Sequence, residues 1–167
     1  MRPIILFCAL LLIAGCGPLP PPDISFDPRQ AAFIHAKGKG TIKGHAFLTS
    51  RGGRVHAAAG ETVRLIPATD YARKRFAALY PSGTFMPALL VRGMRFDPEY
   101  LAHTRSTKAE SNGRFTFENV APGTYFLATQ RVWVDARSQV TEGGAFFETV
   151  TLTGKESEPV AVVMSGR

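Results

Sequence analysis

The sequence predicts an all-β fold: a seven-stranded antiparallel Greek-key β-sandwich with a short helical insert. Three observations lead there. Apolar residues in the C-terminal half recur with period two, as in Arg114-Phe115-Thr116-Phe117-Glu118, which marks a strand buried on one face. Gly 16 and Pro 12 break the chain into runs that suit short strands better than long helices. The 167 residues make one domain with a modest core, and 45% hydrophobic content is too high for a disordered chain.

The N-terminus sets the compartment. Met1-Arg2 brings one positive charge, and Ile4 to Ala14 carries none. That run is too short to span a bilayer and long enough for a signal-peptide core. It closes on Ile13-Ala14-Gly15-Cys16, which resembles the bacterial lipobox. The resemblance implies a signal peptide over residues 1–15, a diacylglyceryl group bearing fatty acids such as palmitate on the Cys16 thiol, and cleavage before Cys16. Small residues at 14 and 15 admit an extended backbone to a peptidase, and the thiolate is the nucleophile. Cys8 leaves with the signal, so Cys16 is the sole remaining cysteine and no disulfide framework or cysteine metal site can form. Lipoproteins with Asp at the next position are usually held at the inner membrane; Gly17 therefore points to the outer membrane, facing the periplasm.

Residues 16–39 read as a tether. Gly17-Pro18-Leu19-Pro20-Pro21-Pro22 favours extended backbone, with Ala31-Ala32-Phe33-Ile34 able to dock locally. The sandwich is expected over 40–167. Its strands fall at 40–48, 61–67, 104–109, 114–118, 124–134, 146–152 and 159–164. In the second, Val63 and Leu65 point inward and Thr62 and Arg64 outward. Asn112-Gly113 suits a type I′ hairpin turn, and Pro122-Gly123 a type II turn.

Three segments together resemble a carboxypeptidase regulatory-like domain. They are Gly40-Thr41-Ile42-Lys43-Gly44, then Ala59 to Pro67, then Thr107 to Tyr125 with its Gly-x-Phe-x-Phe and Val-x-Pro-Gly-x-Tyr pattern. The resemblance covers about residues 40–165 and implies a transthyretin-like (prealbumin-like) sandwich, related to the collagen-adhesin B-type domains. It implies that the Phe pair faces the core and that Tyr125 packs beneath the Pro-Gly corner. The departure from the pattern is the insert, residues 70–103. There Asp70 can cap a helix with Ala72, Phe76, Leu79 and Tyr80 on one face, Arg73-Lys74-Arg75 facing the other way, and Pro81 as the stop. Asp97-Pro98-Glu99-Tyr100 reads as a second, single-turn helix start.

Catalytic chemistry finds no support. The residues three after His35, His45, His56 and His103 are Gly38, Leu48, Ala59 and Ser106, so no His-x-x-Glu zinc pair exists, and no metal or cofactor is expected. No Gly-x-Ser-x-Gly elbow is present. The formal net charge of +7 concentrates around the insert and the edge strand before residue 110. It is either a solvated face that discourages strand pairing or a surface for anionic envelope components. Export disfavours nucleic acid. The expected protein is thus a non-enzymatic, membrane-anchored module binding an envelope protein or glycan, with an accessory subunit for a separate hydrolase or transporter as the alternative. Arg73, Lys74, Arg75, Tyr80, Arg92 and Arg95 are the candidate binding surface, because long loops on a rigid sandwich carry function and hot spots favour aromatics with arginine. The sequence leaves the oligomeric state open.

Overall fold

The computed structural model describes residues 24–91 and 98–166. Cys16, the signal segment, Arg92 and Arg95 lie outside the described residues. Nine strands form two facing sheets. One contains β1 (Gly40–Thr49), β2 (Val55–Ala57), β6 (Arg114–Val120) and β9 (Val160–Met164). The other has the order β4-β8-β7-β3-β5, with β3 Thr62–Pro67, β4 Phe85–Pro87, β5 Arg105–Lys108, β7 Gly123–Val134 and β8 Thr141–Leu152. The all-β sandwich is therefore as the sequence predicts, but the strand count is nine among the described residues. The extra members, β2 and β4, are three residues each, too short to show a period. The pairing is not purely antiparallel either: β9 runs parallel to β1, with Ile42 opposite Val160 and Ala46 opposite Met164.

Alternation decides which faces meet. Ile42, Val63, Leu65, Phe115, Phe117, Tyr125, Leu127 and Phe146 all point between the sheets and are almost fully buried. The Tyr125 hydroxyl donates to the Ala121 carbonyl at 2.8 Å, so the ring packs under the Pro122 corner with its polar end satisfied. Two turns differ from expectation. Gly113 alone takes positive φ (+82°), while Glu110 closes a three-residue loop by accepting from Gly113 and donating to Arg114. This is a type I turn followed by a left-handed glycine, the common longer hairpin, rather than type I′. Gly123 has φ +153°, outside the type II range, and a side chain there would run into the Phe33 ring.

A second apolar cluster lies on the outer face of the five-stranded sheet. Helix α2 (Asp70–Leu79) lays Tyr71, Ala72, Phe76 and Leu79 over Ile66, Phe126 and Ala145. Its cap is Thr69 rather than Asp70: the Thr69 hydroxyl accepts from the Ala72 amide at 3.1 Å. Asp70 instead exchanges two hydrogen bonds with Gln30, both 3.1 Å, and so ties the tether to the helix. The tether's second half is packed accordingly. A short helix, α1 (Pro28–Ala31), and a 3-10 turn bury Ala31 and Ile34 against the sandwich. After β4 come two further single-turn helices, α3 (Ala88–Val91) and α4 (Pro98–Ala102). The result is three layers: sheet, sheet and a helical lid.

Candidate functional site

Small side chains open a space beneath the lid. On the outer face of the five-stranded sheet, Ile66, Phe126 and Phe147 pack against α2, while Ala128 and Ala145 leave a gap between them. The resulting cavity holds about 310 Å³, near the lower end of the range of ~300–1,000 Å³ for small-molecule pockets. Its apolar wall is Phe76, Tyr80, Tyr100 and Leu79. Its polar groups are Glu61, Thr62 and Arg64 from β3 and the turn before it, Arg75 from α2, and Thr129 and Gln130 from β7.

The aromatic wall is rigid because each ring is held by another. Phe76 stacks on Phe126 at 4.4 Å between centroids and meets Phe147 edge-on at 4.8 Å. Tyr100 contacts Tyr71 at 5.2 Å, and both rings contact Phe26 of the tether. Burial pushes the Tyr80 phenol up to about 12, with Arg75 pulling the other way. Tyr100 is raised further by burial, against the lowering influence of Arg75 and Arg64. Both phenols are therefore neutral at ordinary pH and can donate a hydrogen bond.

The basic run divides between two faces. Arg73 and Lys74 are exposed on the outside of α2. Arg75 does not face outward with them; it is only 8% exposed and lies over the Tyr100 ring, 5.9 Å from its centroid. The helical period explains this correction: residues 71, 72, 75, 76 and 79 form one stripe, and an arginine on it buries its stem while its head reaches the cavity. Tyr80 also turns inward and lines the wall. Of the expected surface, then, the structure gathers Arg75 and Tyr80 at one cavity and leaves Arg73 and Lys74 outside it. The sequence reading missed Glu61, Arg64, Thr129 and Gln130 as site residues. Only the outward phase of Arg64 on its strand hinted at a role, and the register that sets it opposite Ala128 is invisible in one sequence.

A second polar cluster lies away from the cavity. His56 of β2 stacks on Trp133 of β7, with centroids 3.8 Å apart and planes 8° from parallel. Burial, then the positive charges of Arg131 and Arg54, lower the His56 pKa.

No family model matches the chain, and no curated protein matches it. A solved structure does: the crystal structure of a "putative carbohydrate binding protein" from Pseudomonas aeruginosa is 28% identical, with a TM-score of 0.71. The match covers 85% of this chain and 98% of that one, so the two share one β-sandwich architecture along nearly their whole common length.

Proposed function

We propose that this chain is a non-enzymatic glycan-binding lipoprotein of the bacterial envelope, carrying a carboxypeptidase regulatory-like sandwich on a lipid anchor at Cys16. The observation that carries the glycan reading is the cavity under α2. Sugar rings present both an apolar face of C–H groups and a rim of hydroxyls. A pocket that takes them needs flat apolar walls beside polar groups able to donate and accept. Phe76, Tyr80 and Tyr100 supply the first, and Glu61, Thr62, Arg64 and Gln130 the second. The carbohydrate-binding name of the similar Pseudomonas aeruginosa protein supports the same reading. A cavity of about 310 Å³ has room for one or two sugar rings, which suits a chain end or a short unit.

Saturation-transfer NMR on the detergent-purified full chain, with a panel of envelope-type oligosaccharides, tests the site. Sugar protons should be saturated in wild type and lose most of that signal in Ala128→Trp, which fills the gap from the sheet side. Equal signals in the two proteins would place any sugar elsewhere. The anchor has its own test. Wild-type chain should incorporate labelled palmitate and fractionate with outer membrane, and Cys16→Ala should do neither.

A further inference from the structure

We infer that the cavity under α2 takes an acidic sugar, with Arg64 as the group that reads its negative charge. This rests on the glycan reading above and narrows it. Arg64 sits in the middle of β3, its neighbours in register being Ala128 on β7 and Ser106 on β5, both too small to cover it. Its side chain is half-buried and lines the cavity. Among the described residues, no carboxylate comes within ion-pair distance of its guanidinium, and it takes part in no hydrogen bond. Glu61, the carboxylate that lines the cavity among the described residues, faces the Gln130 amide at 3.5 Å instead.

A guanidinium drawn out of bulk water normally has a partner, because desolvating it without one is costly. The Arg64 charge sits in a small, partly dry volume, where it is screened less than on an open surface. An anionic substituent on a bound sugar would supply the partner that Arg64 lacks among the described residues. The planar fork of Arg64 matches the two oxygens of a uronate carboxylate, and a sulfate ester offers the same geometry. A neutral sugar offers the fork only a hydroxyl, a weaker and single-point partner.

Isothermal titration of the detergent-purified full chain with oligogalacturonate, the matching neutral galactose oligomer and its sulfated form tests the inference. At least one anionic oligomer should bind about tenfold or more tighter than the neutral one, and the stronger of the two identifies the group. Arg64→Gln should abolish that preference, because it weakens anionic binding about tenfold or more and neutral binding much less, and Arg64→Lys should restore part of it. The anionic preference in wild type should also shrink with added salt, a reading that needs no variant. Equal affinity for neutral and anionic oligomers, or a preference that survives Arg64→Gln, would overturn the acidic-sugar inference and leave the glycan site standing. Binding to none of the three would overturn both.

Discussion

Glu156 shows how much one surface side chain can do here. Its carboxylate accepts from the Thr153 amide, the Thr153 hydroxyl and the Gly154 amide, and so pins the turn between β8 and β9. Those bonds favour the charged form and draw its pKa down to about 2, from an ordinary 4.5. Because the folded value is the lower one, the stabilisation is present above pH 4.5 and disappears as pH falls toward 2. Urea midpoints should accordingly be lower for Glu156→Gln than for wild type at pH 7, with the gap closing between those two values; a constant gap would mean the carboxylate's charge is irrelevant. At this scale the sequence was legible wherever a residue's role follows from its strand phase. Phe115 and Phe117 alternate with polar neighbours and are both buried. It was illegible where the role depends on a partner distant in the chain, as with Thr129, whose hydroxyl bonds the Thr62 carbonyl, or Arg64 over Ala128.

Helix α2 explains why an insert could be foreseen without its purpose being visible. The spacing of Ala72, Phe76, Leu79 and Tyr80 marks an amphipathic helix, and all four are buried. What the spacing cannot give is the surface the stripe covers. The outer face of β7 and β8 carries Phe126 and Phe147, which look like strand residues in need of solvent until the insert lands on them. The helix is thus a lid over a sheet face and at the same time one wall of the cavity. Phe76→Ala should cost about 3–5 kcal/mol, as for other buried aromatics, and calorimetric or urea melts can check it. A loss below ~1 kcal/mol would show that the lid is held by its ends alone. Boundaries were read least well for β2, β4 and the first half of β8, where Thr141 to Ala145 contains two glycines and no alternation. Those residues are strand because the partner strand β7 is there, with Val132 opposite Gly143 and Gln130 opposite Ala145.

At the scale of the whole molecule, the three layers divide the labour. The inter-sheet core rests on apolar burial, and the helical layer borrows one face of the sandwich to make a small, rigid, two-walled pocket. The tether belongs to this architecture more than its proline-rich start suggests: Phe33 packs edge-on against Tyr125 at 5.3 Å, and Phe26 sits among Tyr71, Tyr100 and His103. The segment that would lead to a membrane anchor is therefore in contact with the lid. One further consequence follows from the parallel pairing of β1 with β9. The first long strand has one edge taken by β6 and the other by a strand more than a hundred residues later. Until that late strand arrives, the edge of β1 that faces away from β6 is a bare template from Ile42 to His45, open to a strand from any neighbouring chain. A truncated product ending before Val160 would keep most of its core and still be adhesive, so the residues that protect this protein from its own copies are made long after the strand they cover.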